Sequence, residues 1–224
     1  MLNMQIEKAR KLILSAVKDV VAKGLVTGSW GNISLKFEKD CYAITPSGHR
    51  YSTMSVEDIA IINADGIKLT GDCIPSSEMP LHLEIYKTRP DVRAIVHTHS
   101  IYATACSTMH KSIPPLIEDL AQVIGGEICT AKYAISGSKE IAQNAVKALG
   151  KRNAVLLANH GVVCCGRDLD EALIIAELVE KAARIYCIVA SINGGGIPLA
   201  DKDIVEVHDF YNKHYRKRQI GEEL

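Results

Sequence analysis

Apolar positions recur at helical spacing over residues 5–23 (Ile6, Ala9, Ile13, Ala16, Val17, Val20) and Gly24 supplies a stop, so the first element is an amphipathic helix. The period then shortens. Ile33-Ser34-Leu35-Lys36-Phe37 alternates like a half-buried strand, and Tyr42-Ala43-Ile44 forms a second. Strand-like segments at residues 59–62 and 67–69 flank Asn63-Ala64-Asp65-Gly66, a hairpin signal. Leu81, Leu83, Ile85 and Tyr86 lead a short helix that ends near Arg89-Pro90. Ser77 is its expected N-cap, which puts Glu78 beside the positive end of the helix. An apolar run then ends in His97-Thr98-His99. Residues 101–109 are small and apolar enough for a buried helix, and Ser112-Ile113-Pro114-Pro115 breaks the chain before residues 116–126. Ile128-Cys129-Thr130 suggests a strand, residues 138–149 a helix, and residues 154–158 a buried strand that delivers Asn159-His160-Gly161. Asp168-Leu169-Asp170-Glu171 is a capping-box pattern opening a long helix to about Ile192. Asn193 to Gly196 close it, and a last helix is expected from Asp201 to about Lys217.

Strands and helices are mixed rather than strictly alternating, which predicts a helix-covered, mainly antiparallel or mixed sheet over a doubly wound parallel one. With 224 residues, no internal repeat and no low-complexity linker, residues 1–224 are expected to form a single domain. Twenty-six basic residues balance twenty-six acidic ones, so no field draws in nucleic acid or an anionic membrane surface. The apolar stretch over residues 172–192 is interrupted by Glu177, Glu180, Lys181 and Arg184, and residues 1–7 carry no leader pattern. Seven cysteines without a C-x-x-C spacing fit a reducing compartment, so a soluble cytoplasmic protein is expected.

The candidate chemistry starts at His97 and His99. In extended backbone, residues i and i+2 project from one face, so two imidazoles converge on one point, an arrangement suited to a divalent metal. Glu78 at a helix start and His160 at a strand end complete a set of three imidazoles and a carboxylate. Zinc is the default ion for it, with manganese or cobalt also compatible. The turn Thr27-Gly28-Ser29-Trp30-Gly31-Asn32 and the turn Thr45-Pro46-Ser47-Gly48 offer backbone donors to an anion. His49, His82, His110, His208 and His214 carry no such context and read as ordinary polar groups.

Five segments in order, Gly28-Ser29-Trp30-Gly31-Asn32-Ile33-Ser34, Ile44-Thr45-Pro46-Ser47-Gly48, Pro75-Ser76-Ser77-Glu78, Val96-His97-Thr98-His99 and Asn159-His160-Gly161, together resemble the class II aldolase/adducin family. The resemblance runs from the first helix to the last. It implies a single three-layer α/β/α domain with a central, mainly antiparallel sheet, and a homotetramer with active sites at subunit borders. It implies a zinc site at Glu78, His97, His99 and His160, phosphate-binding groups at Gly31, Asn32, Ser47, Gly48, Ser76 and Ser77, and Glu78 as the proton shuttle. The implied reaction is metal-dependent cleavage of a ketose 1-phosphate, of the L-fuculose or 5-deoxyribulose type, through a metal-stabilised enediolate to dihydroxyacetone phosphate and an aldehyde. Epimerisation at C4 of a pentulose 5-phosphate and dehydration of methylthioribulose 1-phosphate use the same kind of site. An adducin-like binding module would have a broken ligand set. The family's aldolases carry a tyrosine after the Ser-Ile-Pro segment that reaches the neighbouring subunit's site; the matching position here is Glu118, followed by Asp119, which assigns the aldehyde-side proton to a carboxyl group. A C-terminal tyrosine, matched by Tyr211 or Tyr215, also contributes in those aldolases.

Overall fold

The apolar alternation along the strands resolves into one eight-stranded sheet with helices on both faces. The computed structural model describes residues 2–192 and 195–216. Helix α1 spans Leu2–Ala22 and buries Ala9, Ile13, Ala16, Val17 and Val20, the stripe its spacing predicts. Strands β1 (Asn32–Glu38), β2 (Cys41–Ile44), β3 (Ala60–Asn63) and β4 (Lys68–Thr70) form an antiparallel meander. Helix α2 (Met79–Thr88) then crosses to β5 (Ala94–Thr98). After α3 (Ile101–Thr108), α4 (Glu118–Ile124), β6 (Thr130–Ala131) and α5 (Lys139–Leu149), the hairpin of β7 (Ala154–Leu157) and β8 (Gly161–Gly166) enters the sheet. The long α6 (Leu169–Ser191) and α7 (Asp201–Phe210) follow. The sheet order is β4-β3-β2-β1-β5-β8-β7-β6. Every neighbouring pair is antiparallel except β6 with β7.

Alternation sorts the central strands into two cores. Ala94, Val96, Ala154, Leu156, Val162 and Cys164 face α1, α3, α4 and α6, whereas Ile95, Val155, Leu157, Val163 and Cys165 face α2 and α5. This is the expected three-layer arrangement, and every one of these residues is fully or almost fully buried. His97 follows Val96 and therefore points to the α2 side. No helix of the described residues is long and apolar enough to cross a membrane.

Several boundaries move. The strand expected at Ile128-Cys129-Thr130 shrinks to Thr130–Ala131, because Ile128 exchanges two backbone hydrogen bonds, each 3.0 Å, with Ile113 instead. The apolar run Val162-Val163-Cys164-Cys165, unassigned by periodicity, forms most of β8. Asp168 caps α6 as expected, its carboxylate accepting from the Glu171 amide at 2.8 Å. The last helix changes to a wider π-type turn over Tyr211–Tyr215, and its expected end at Lys217 lies outside the described residues, as do Asn193 and Gly194.

Candidate active site

The candidate residues reach one place because three strand or helix ends meet there. His97 lies opposite Asn32 in the β5–β1 register, at the end of both strands. Glu78 stands at the start of α2, and His160 in the turn between β7 and β8. That turn is tight: Asn159 takes a positive φ of 54°, and the His160 amide donates to Leu157 O at 3.0 Å. Gly161 is required by close approach, since a Cβ there would lie 2.4 Å from Thr98 O and crowd both His97 and His99. Gly31, at φ +110°, is packed the same way against His97 O.

The four donors converge. His97 Nε2 lies 3.0 Å from His99 Nε2 and 3.1 Å from Glu78 Oε2, and His160 Nε2 lies 3.4 Å from Glu78 Oε1. A tetrahedral zinc with bonds of about 2.0–2.1 Å holds neighbouring nitrogen and oxygen donors about 3.3–3.4 Å apart, so this donor set fits such an ion in size and in chemistry. His97 Nδ1 sits 2.9 Å from Val162 O, a carbonyl that can only accept. Nδ1 therefore carries the proton, and the Nε2 lone pair is left facing the other donors.

Beneath the donors runs a buried polar ladder that the sequence did not disclose. Asn32 Nδ2 donates to Glu78 Oε2 at 2.7 Å, which turns Asn32 Oδ1 toward His82 Nε2 at 2.5 Å. Because that oxygen only accepts, His82 Nε2 is the protonated nitrogen, and His82 Nδ1 accepts from Ser34 Oγ at 2.6 Å. Ser34 Oγ in turn accepts from the Tyr86 hydroxyl at 2.7 Å. Every donor in the chain points toward Glu78. The Asn32 side chain, expected at the phosphate, is thus 3% exposed with its oxygen and one amide proton engaged by His82 and Glu78.

Glu78 is 5% exposed. Burial raises its carboxyl, but His97, His160 and the Asn32 amide outweigh that and hold it well below the ordinary carboxylate range. Burial depresses His82 and His99 to about 3 and His160 to about 4, with the neighbouring His97 adding to each shift. These histidines are neutral in the fold, whereas unfolded chain takes up a proton at each near pH 6.5. Stability is therefore complete above pH 6.5 and is lost as pH falls below it. His82 alone is expected to cost about 2 kcal/mol between pH 7 and pH 5. Denaturant melts of chelator-treated protein at the two pH values check this; coincident midpoints would contradict it.

The ligands form one end of a cleft of about 440 Å³. Gly31, Asn32, Ser47, Gly48, Ser76, Ser77, Glu78, His99 and His160 all line it, and His97, at 0% exposure, lies beneath. Neither Lys nor Arg is among the described lining residues, so an anion would be held by hydroxyls and backbone N–H groups. Ser77 is not the N-cap of α2: Glu78 takes that position with its carboxylate turned into the site, and the Met79 amide donates to Ser76 O at 3.0 Å. Sequence patterning missed Ser136, whose Oγ donates to Glu78 Oε1 at 2.9 Å, and gave no role to Trp30, whose ring stacks on His99 with centroids 6.1 Å apart. Glu118 is not brought to this cleft. It lies exposed on α4, bonded to Gln122 at 2.8 Å, while Asp119 pairs with Lys181. Tyr211 lines a separate cavity with Arg167 and Glu171, and Tyr215 is exposed.

Residues 11–187 match the family model described as Class II Aldolase and Adducin N-terminal domain. The chain is 37% identical to 5-deoxy-D-ribulose 1-phosphate aldolase of Bacillus thuringiensis serovar kurstaki, over 82% of this chain and 86% of that protein. It is 33% identical to L-fuculose phosphate aldolase of Escherichia coli K12, over 91% of this chain and 94% of that protein. A solved L-fuculose 1-phosphate aldolase superposes with a TM-score of 0.88 at 36% identity, covering 92% of this chain and 96% of that one. The chain belongs to the class II aldolase and adducin family.

Proposed function

We propose that this protein is a metal-dependent aldolase that cleaves a ketose 1-phosphate, of the L-fuculose or 5-deoxyribulose type, into dihydroxyacetone phosphate and an aldehyde. The observation that carries this is the convergence of three imidazoles and Glu78 in a cleft walled by Ser47, Ser76 and Ser77 and free, among its described lining, of Lys and Arg. The names of the relatives at 33–37% identity support the substrate class. Glu78, His97, His99 and His160 would hold the ion, zinc by default, with manganese or cobalt compatible. When bound, it supplies Lewis-acid polarisation of the sugar oxygens.

The chain's own groups do the remaining work. The serine hydroxyls and backbone N–H groups around Gly31 and Gly48 bind the phosphate without a fixed positive charge. In cleavage the C3–C4 bond breaks, its electrons stay on C3, and the C4 hydroxyl loses its proton as it becomes the aldehyde. Glu78, ionised at rest, takes up a proton from solvent and passes it to C3, with Asn32 and Ser136 orienting its two oxygens; the proton that leaves the C4 hydroxyl replaces it in solvent. Glu118 is assigned the C4 hydroxyl proton, acting in a neighbouring subunit's cleft within a cytoplasmic homotetramer. Its position matching the family's tyrosine and its exposure on this chain support the assignment of Glu118. Glu118→Gln is expected to lower kcat about 10²-fold with little change in the KM for the sugar phosphate; unaltered turnover would return Glu118 to a solvated helix face.

The test is incubation of zinc- or manganese-loaded protein with L-fuculose 1-phosphate and 5-deoxyribulose 1-phosphate, followed by NMR. Two fragments, one of them dihydroxyacetone phosphate, are expected. A single isomerised or dehydrated product would assign the epimerase or dehydratase chemistry instead, and no product from any ketose phosphate would leave an adducin-like binding role.

A further inference from the structure

We propose a second divalent-cation site, made by His49, Asp58 and Cys73, that takes zinc or a similarly borderline ion and clips together the two loops bearing the cleft serines. The three residues come from separate segments that no motif joins. His49 directly follows the Ser47-Gly48 turn, Cys73 precedes the Ser76-Ser77 turn by three residues, and Asp58 sits in a turn of its own. Their donor atoms nevertheless converge: Cys73 Sγ lies 3.4 Å from Asp58 Oδ1 and 3.9 Å from His49 Nδ1, and His49 Nε2 lies 3.5 Å from Asp58 Oδ2. One ligating atom of each lies within 4.8 Å of the others. A tetrahedral zinc with bonds of about 2.0–2.3 Å separates its donors by about 3.3–3.7 Å; Cys73 and Asp58 already meet that spacing, while His49, whose two contacts use different ring nitrogens, must turn to bring one of them to the ion.

Two simpler uses of the trio fit less well. In a thiol–imidazole–carboxylate relay the imidazole alone links the other two; here His49 faces Cys73 through Nδ1 and Asp58 through Nε2, but both contacts are long and the thiol touches the carboxylate directly at 3.4 Å. Burial and then the Asp58 carboxylate also push the Cys73 thiol up, the opposite of what a nucleophile needs. A plain hydrogen-bonded cluster explains Cys73 with Asp58 but not His49, which faces both partners at distances longer than a good hydrogen bond. A thiolate, an imidazole and a carboxylate are the donors a borderline divalent ion takes, and a hard ion would require more oxygens. Asp58 Oδ2 is already held by the Ser55 amide at 2.7 Å and the Ser55 hydroxyl at 2.9 Å, which orients Oδ1 toward Cys73. All three residues are part-buried, so solvent can deliver the ion and complete its shell.

The position gives the site a purpose. The Ser47 amide donates to Ile74 O at 2.9 Å and the Ser76 amide to Thr45 O at 3.1 Å, so the two loops already run side by side. An ion bridging His49 and Cys73 would fix that pairing just behind Ser47 and Ser76. No residue is shared with Glu78, His97, His99 and His160.

Cobalt(II) titration of chelator-treated full-length protein tests the proposal. Two ions per chain are expected, one giving the near-ultraviolet charge-transfer absorbance of a cobalt thiolate, which a site of three histidines and a glutamate cannot give. Cys73→Ser should leave one ion per chain with the band gone, and His49→Ala should weaken cobalt binding at this site at least tenfold. His99→Ala should keep the band. Absence of the band in the wild-type chain, or its survival in Cys73→Ser, would overturn the proposal. Failure of the cleft's metal site would instead leave the band intact and remove the other ion. Melting of each variant in chelator shows whether it is folded, and zinc should raise the wild-type midpoint by several degrees more than that of Cys73→Ser.

Discussion

Glu78→Gln is expected to lower kcat/KM for the sugar phosphate by 10³-fold or more while the protein stays folded. The substitution keeps the shape of the side chain and removes one negative charge and one acceptor. Both oxygens of Glu78 accept hydrogen bonds, from Asn32 Nδ2 at 2.7 Å and from Ser136 Oγ at 2.9 Å. Asn32 cannot invert to meet an amide, because its oxygen is held by the buried His82 at 2.5 Å. Glutamine must therefore turn its oxygen to Asn32 and its NH₂ to Ser136, whose hydroxyl can rotate and accept. The fold tolerates the change, but the proton shuttle is lost, and loss of general acid–base catalysis alone costs about 10²–10⁴-fold. Loss of the negative donor also weakens the hold on a cation. Turnover measured beside metal content separates these effects: a variant that keeps a full equivalent of metal but not turnover assigns the proton role to Glu78. A variant with full turnover would remove Glu78 from the mechanism.

The site's outline was legible in the sequence because its residues sit where secondary structure fixes direction. His97 and His99 share a strand face by the two-residue period, and helix and strand ends deliver Glu78 and His160 to it. The cores were legible for the same reason, since runs such as Ala154-Val155-Leu156-Leu157 belong in a strand buried on both faces. What stayed hidden depends on partners distant in the chain. His82 looked like an ordinary polar residue, and only the register of β1 against α2 reveals that it clamps Asn32. Ser136 precedes a helix cap and touches Glu78 across a separation of 58 residues that no local pattern encodes. The expected cap at Ser77 failed because Glu78 does better among the histidines than a helix terminus would predict. Glu118 stands apart for another reason: on this chain it lies exposed on α4 away from the cleft, and the role proposed for it would need a second copy.

His99→Ala and His97→Ala should both lose metal-dependent turnover by 10³-fold or more, yet they should differ sharply in stability. Each removes one imidazole from a set of four donors, so bound metal at this site should fall below a tenth of an equivalent in both. His99 follows the last residue of β5, part-exposed, with Trp30 stacked on its outer side. Its loss takes away ring contacts with His97, His160 and the exposed Trp30 but no strand pairing or buried core, so the metal-free variant should melt within a few degrees of the metal-free wild type. His97 is fully buried within β5 and donates to Val162 O on β8. Alanine there opens a cavity between the sheet and α2 and leaves the chain beneath Glu78 without a neighbour, at a cost of about 2–4 kcal/mol. Calorimetry in chelator, with metal analysis of the loaded proteins, reads both quantities. Equal stability losses would mean that His97 is less integral to the β5–β8 pairing than its geometry indicates, and retention of metal by either variant would break the four-donor assignment.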